Sequence, residues 1–227
     1  MTIVLASQSP RRRQFFQLLG LNFVVDAADV DETNNGGDPA GVVRGLSAAK
    51  ARTVAARHPD ALVVGADTVV VLDGVILGKP ADEADARRML RALRGHTHSV
   101  LSSVTVIHPS GAEATELAKT VVRMRDYTDA ELRAYVRSGD PMDKAGAYAI
   151  QNAVFRPVSE IEGCYASVMG LPLCHLSRAF WRAGDPLPAH VPDLCRGETG
   201  HPCCIYPEIW PGLPKNLVTL ARESLES

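Results

Sequence analysis

Apolar residues along this 227-residue chain fall partly into short β-branched runs and partly into stripes at helical spacing, which predicts interleaved strands and helices. Ile3 to Ala6 is a short apolar run, and after Ser7-Gln8-Ser9-Pro10-Arg11-Arg12-Arg13 the residues Phe15, Phe16, Leu18 and Leu19 recur at helical spacing up to Gly20. Ser9 suits an N-cap, Pro10 the first helical position and Gly20 the stop. Pro39 to His58 reads as a second helix with Val42, Val43, Leu46, Ala49 and Val54 inward and Lys50 close to that stripe. Asp82 to Arg94 reads as a third, with Ala86, Met89, Leu90 and Leu93 inward and Gly95 after it. His98 to His108 and Glu113 to Arg125 predict a returning pair of strands, and Thr128 to Glu131 has capping-box spacing for a helix through Val136. Val154 to Ile161 and Tyr165 to Leu171 read as extended, and Leu173 to Trp181 as helix.

The most informative stretch is Leu62 to Lys79, LVVGADTVVVLDGVILGK, where two apolar runs are joined by Asp73-Gly74, the dipeptide favoured in a type I′ hairpin turn. With that turn Leu72 faces Val75, and the register carries Thr68 opposite Lys79 with Asp67 one step on. An acidic, a basic and a hydroxyl group then meet within about 5–8 Å. A carboxylate in so apolar a run must face a cleft or hold a partner. An ordinary Asp–Lys ion pair at a strand end fits the local sequence as well as a site does.

Composition narrows the class. Hydrophobic residues make up 46% and charged residues 22%, ordinary for a globular protein, and no apolar run approaches the roughly 18–20 residues of a membrane-spanning helix. The charges of the N-terminus follow its apolar run, the reverse of a secretory signal, so a cytoplasmic protein is expected. A net charge of −2 and a pI near 6.4 remove the usual drive for binding nucleic acid. Any phosphate recognition must therefore be local. Seven of the fifteen prolines follow Gly184, so residues 184–227 read as an irregular Pro- and Cys-rich extension with one short helix near Leu217 to Leu225. Cys164 and Cys174 read as core residues. Cys195, Cys203 and Cys204 with His201 crowd the extension, in a spacing that matches no CxxC zinc pattern.

Candidate chemistry gathers near the N-terminus. A helix start beside Ser7, Ser9 and three arginines is a local anion site, since arginines there oppose the helix dipole unless an anion or another use compensates. Asp31 and Glu32 could reach a magnesium ion; a solvated acidic turn fits equally. In Asp143-Lys144-Ala145-Gly146-Ala147-Tyr148-Ala149-Ile150-Gln151 the small residues imply close backbone approach to a ligand or a strand. No phosphate-loop, dinucleotide-binding, nucleophile-elbow or HExxH motif occurs. What remains is a dispersed set of Arg11, Arg12, Arg13, Lys50, Lys79 and Lys144 against Asp31, Glu32 and Asp67, a balance suited to a polyphosphate with magnesium.

Leu5-Ala-Ser-Gln-Ser-Pro-Arg-Arg12, Gly65-Ala-Asp-Thr-Val-Val70, Gly78-Lys-Pro80, Asp143 to Gln151 and Gly170-Leu-Pro172 resemble, in order and spacing, the motifs of the Maf family of nucleoside triphosphate pyrophosphatases. The resemblance covers roughly residues 3 to 183, taken as one domain (1–183) before the extension. It implies an α/β fold similar to inosine triphosphate pyrophosphatases, with a central mixed twisted sheet flanked by helices and a cleft between two lobes. It also implies a homodimer, a divalent metal (Mg²⁺, with Mn²⁺ as alternative) and cleavage between the α and β phosphates. Asp67 is then the proton acceptor and a metal neighbour, Lys50 and Lys79 stabilise phosphate charge, Ser9 and Arg12 bind substrate, and Glu32 is a metal ligand. Arg11, Thr68 and Gln151 are similar to the subgroup associated with dTTP and UTP. Ala149, Asp140 and Ser167 stand where glycine, glutamate and asparagine are usual, and Ala149 is expected to narrow the pocket near Gln151. A non-catalytic nucleotide-binding regulator of cell division is the competing reading, and a nucleic-acid-binding module is disfavoured by the charge balance.

Overall fold

The computed structural model describes residues 1–32, 37–187, 191–201 and 206–209. In order these form β1 (Thr2–Leu5), α1 (Pro10–Gln17), β2 (Phe23–Val25), α2 (Pro39–Ala55), β3 (Ala61–Leu72), β4 (Val75–Leu77), α3 (Glu83–Leu93), β5 (Thr97–Ile107), β6 (Glu113–Met124) and α4 (Asp129–Arg137). There follow two 3₁₀ turns (Asp140–Asp143 and Ala145–Ala147), β7 (Val158–Glu162), α5 (Tyr165–Val168), α6 (Leu173–Arg182), α7 (Val191–Thr199) and α8 (Tyr206–Ile209). The expected central mixed sheet is present, in the order β2-β1-β3-β5-β6-β7 with β4 also on β3. β1 runs parallel to β2 and β3, and the remaining pairs are antiparallel.

The cleft follows from how β3 shares its neighbours. Along one edge β3 pairs with β1 through Val64 and with β4 from Val70, so residues 65 to 69 have no strand beside them on that edge. The other edge stays paired with β5 from Val63 to Val71. Asp67 sits at the middle of the gap. The hairpin turns as its sequence predicts: Asp73 and Gly74 have φ of 49° and 79°, and Leu72 pairs with Val75. The ladder stops at Val70 and Leu77, however, so Thr68 and Lys79 are not strand partners. Thr68 also points to the sheet face opposite Asp67, as successive strand residues must.

On the Thr68 face two apolar cores share β3, β5 and β6. One gathers Leu62, Val64, Ala66, Val104 and Val106 with Phe15, Phe16 and Phe180; the other gathers Val70, Val100, Val122 and Met124 with Leu90, Leu132 and Tyr148. Hydroxyls lie between them: Thr68 Oγ1 meets Ser102 Oγ at 2.8 Å, Ser102 Oγ donates to Ser167 O at 2.6 Å, and Ser167 Oγ meets Thr120 Oγ1 at 2.7 Å. These cores are the two lobes. The other face is covered by α2, whose buried stripe is Val43, Ser47, Ala48, Lys50, Ala51 and Val54. That stripe is rotated from the expected one, because Gly65 lets α2 settle directly on β3 and turns half-buried Val42 and Leu46 toward the cleft.

Other elements depart from expectation for local reasons. α1 ends at Gln17 and is followed by a turn to Gly20 at φ 67°. Asn152 Oδ1 accepts from Val154 N (3.2 Å) and Phe155 N (2.7 Å), holding that stretch in a turn, so the strand begins only at Val158. Tyr165–Val168 is helical rather than extended: it lies between Gly163 (φ 123°) and Gly170 (φ 104°), and Thr120 Oγ1 accepts the Cys164 N–H at its start. The described part of the extension is not irregular. α7 accepts Pro192 in its first turn, where no hydrogen bond is lost, and Val191, Cys195 and Ile209 enter the first lobe's core. The expected helix near Leu217 to Leu225 lies outside the described residues, as do Cys203 and Cys204. Among the described residues no helix is long and apolar enough to cross a membrane.

Two buried histidines set an acid limit. His98 Nε2 lies 2.8 Å from Tyr148 Oη, while His175 packs in α6, and burial pushes each imidazole down to about 4. The unfolded chain takes up these protons below an ordinary value of about 6.5, and the fold does not until about pH 4. Stability from each is thus present above pH 6.5 and is lost as the pH falls toward 4, by up to about 1.4 kcal/mol per pH unit. Denaturant midpoints measured from pH 7.5 to 4.5 should fall accordingly. A His98→Gln variant should fall less steeply; an equal slope would show that His98 does not carry the effect.

Candidate active site

The open edge of β3 is the floor of a cleft of about 720 Å³. Lys50, reaching down from α2, places its ammonium between two carboxylates: Nζ is 2.5 Å from Glu32 Oε1 and 2.6 Å from Asp67 Oδ1. Lys50 and Asp67 are each only 7% exposed, so the pair is shielded from competing water and Asp67 Oδ2 is left toward the cleft. Burial alone would raise the Glu32 carboxyl, but the Lys50 hydrogen bond and the charges of Lys50, Lys79 and Arg12 hold it below the usual carboxylate range. Lys79, just past the end of β4, is exposed on the rim and pairs with no carboxylate among the described residues.

Arginines at the start of α1 have uses the sequence did not disclose. Arg12 is turned into the β3 gap: Nη1 donates to Ala66 O at 2.8 Å and Nε to Gly170 O at 2.9 Å, with longer contacts of 3.4 Å to Ser7 Oγ and Thr68 Oγ1. Ala66 O follows Val64 O, which accepts from Ala6 N, along the same edge, so the guanidinium takes over where β1 ends. Arg11 pairs with Asp143 Oδ2 at 3.2 Å, and Arg13 is exposed outside the cleft lining. Ser9 caps the helix, its Oγ accepting from Arg12 N, and Pro10 has no N–H to give. The helix end therefore offers fewer free donors than its sequence implies. Lys144 is held by Asp140 and Asp143, and Gly146 approaches β3 so closely that a Cβ would lie 3.0 Å from Val70.

Ser9, Arg11, Arg12, Glu32, Lys50, Asp67, Thr68 and Lys79 all line the one cleft. Gln151 does not. It is exposed on a smaller recess beyond Met169, which lines both cavities. Ala149 lines neither cavity and gives its N–H to Tyr135 Oη, so it does not narrow a pocket. Ser7, expected beside the helix start, lines the cleft too, and Asp143 joins it through Arg11, an ion pair 132 positions apart that nothing in the local sequence announces.

Five cationic side chains (Arg11, Arg12, Lys50, Lys79, Lys144) face four carboxylates (Asp29, Glu32, Asp67, Asp143) around the cleft. That near balance leaves little net charge to hold a polyphosphate. Glu32 and Asp67, two oxygen donors already converging on one cation, suit a hard divalent ion that draws its other ligands from phosphate and water. No group of three or more His, Cys, Asp or Glu forms a fuller metal cage among the described residues.

A family model described as Maf-like protein matches residues 2–183. The dTTP/UTP pyrophosphatase of Koribacter versatilis (strain Ellin345) is 45% identical over 185 residues, 81% of this chain and 95% of that protein. The dTTP/UTP pyrophosphatase of Pelotomaculum thermopropionicum is 48% identical over 178 residues, 77% of this chain and 93% of that one. Among solved structures, the Staphylococcus aureus Ham1 protein aligns with a TM-score of 0.41 and 16% identity over 56% of this chain and 73% of that chain.

Proposed function

The chain belongs to the Maf-like protein family, and from that premise we propose that it hydrolyses nucleoside triphosphates, dTTP and UTP before others, to a monophosphate and pyrophosphate. The observation that carries the reading is the Glu32–Lys50–Asp67 cluster on the cleft floor with Lys79 unpaired on the rim above it. Asp67 accepts a proton from the attacking water through its free oxygen. Lys50 keeps that carboxylate oriented, and Lys79 and Arg11 meet the charge that develops on the phosphates. Arg12 positions the site by holding the carbonyl of Ala66, next to Asp67. Glu32 and Asp67 would hold a divalent cation, Mg²⁺ or Mn²⁺, which when bound supplies positive charge to the phosphate oxygens. Gln151 meets the base, its amide both donating to and accepting from a pyrimidine edge.

A protein that only bound nucleotide has no need of Asp67, a carboxylate that repels a triphosphate unless a cation intervenes. The homodimer implied by the family motifs and the cytoplasmic location expected from the N-terminal sequence belong to the same reading, and sedimentation at the monomer mass would remove the dimer from it.

Pyrophosphate release from a panel of canonical and modified nucleoside triphosphates, with and without magnesium, tests the proposal. Cation-dependent release favouring dTTP and UTP is expected, and a folded protein that releases none from any nucleotide would end it. In the same assay Lys79→Met should lower kcat/KM by about 10²-fold. Because Lys79 is exposed and forms no ion pair among the described residues, the variant's Tm should move by no more than about 2 °C. Undiminished kcat/KM would remove Lys79 from the site.

A further inference from the structure

The recess beyond Met169 measures about 300 Å³ and is lined by Gln14, Gln151, Tyr165, Met169, Glu198 and Thr199. It adjoins the cleft at Met169, which lines both, and Gln14 lies one turn beyond Arg11 on α1. Two of its lining residues, Glu198 and Thr199, come from α7, beyond the residues 2–183 that match the family model. α7 is seated there by specific contacts. Gln14 Nε2 donates to Glu198 Oε1 at 2.6 Å, and the Tyr165 ring stacks on His201 with centroids 4.3 Å apart. Glu198 Oε2 has no partner among the described residues.

We propose that Glu198 of the C-terminal extension is a specificity residue that reads the base, accepting the N3–H of uracil or thymine. This rests on the nucleoside triphosphate reading above, with the triphosphate in the cleft and the base in the recess. Gln151 carries a donor and an acceptor in one plane and serves uracil and cytosine alike. A carboxylate offers acceptors only. The uracil and thymine edge presents a donor, N3–H, between two carbonyls; cytosine presents the bare N3 lone pair at the same place. Discrimination among pyrimidines therefore falls to Glu198, held in position by Gln14.

Initial rates with UTP and CTP, for the full chain and its Glu198→Gln and Glu198→Ala variants, decide the matter. Both variants should lose about tenfold or more in kcat/KM for UTP, mainly through KM, the worth of a hydrogen bond to a charged group. CTP use should hold or, with Glu198→Gln, rise, because the new amide can donate to N3. A role in seating α7 alone would lower both nucleotides by one factor, and an unchanged UTP to CTP ratio overturns the inference. Wild-type protein that releases pyrophosphate from no nucleotide would overturn the underlying reading and this inference with it.

Discussion

Replacing Asp67 by asparagine is expected to lower kcat by about 10³-fold, the usual worth of a positioned general base, while nucleotide binding and Tm stay close to wild type. Asparagine keeps the volume of the side chain and an oxygen that can accept from Lys50 Nζ, where Asp67 Oδ1 now sits at 2.6 Å. Lys50 also retains Glu32 at 2.5 Å, so no buried ammonium is left unpaired, which is what makes removal of one partner so costly elsewhere. The change therefore removes basicity, and one anionic oxygen for a cation, while leaving the packing intact. Pre-steady-state and steady-state pyrophosphate release, with calorimetric titration of dTTP, separate the two quantities. Turnover within tenfold of wild type would shift the proton acceptor to Glu32, the other carboxylate on the Lys50 ammonium.

Gly65→Ala should be the most damaging small substitution for the fold. A Cβ at residue 65 would lie 2.3 Å from Ser47 O and 2.7 Å from Ala51 N, both backbone atoms of α2 that no rotamer change can move aside. The helix must lift from the sheet, at a cost of about 3 kcal/mol, or roughly 6–12 °C in Tm for a chain of this size. Lys50 lies on the same stretch of α2, so activity should fall in the variant even below its melting temperature. Gly45, on the outer side of the same helix with nothing within 4 Å of a new Cβ, provides the control. Gly45→Ala should stabilise by about 0.5–1 kcal/mol. Thermal melts of the two variants side by side check both signs, and a Gly65→Ala protein as stable as wild type would show that α2 does not bear on β3 as described.

Legibility from sequence followed the range of the interactions. The hairpin was readable because its determinants, Asp73 and Gly74, are the turn itself. α3 was readable because its stripe of Ala86, Met89, Leu90 and Leu93 is local. Asp67 was identified, but its partner was sought in Lys79 across the hairpin; Lys50 takes that place because α2 crosses β3 at Gly65, a packing fact with no trace in hydrophobic spacing. The arginines of α1 pointed to an anion, whereas Arg12 serves the carbonyls exposed where β1 ends and β4 has not begun, and such a gap exists only once the strand order is known. Glu32 stood out locally only as one of two acidic residues that could reach magnesium, and the role of Gln151 at the base entered through the family motifs. The extension misled by its prolines, since Pro192 occupies a first helical turn that tolerates it.

The unbroken pairing of β3 with β5 under the cleft, from Val63 to Val71, also decides how the molecule can move. A hinge through the floor would have to break that ladder, and with it the hydroxyl pairs that cross between the lobes. Accommodation of substrates of different size is thereby confined to the two rims, the segment leading to Glu32 on one side and the segment from Gly78 to Pro80 on the other. Any opening or closing is therefore expected at those rims, over a paired strand that holds Asp67 in place.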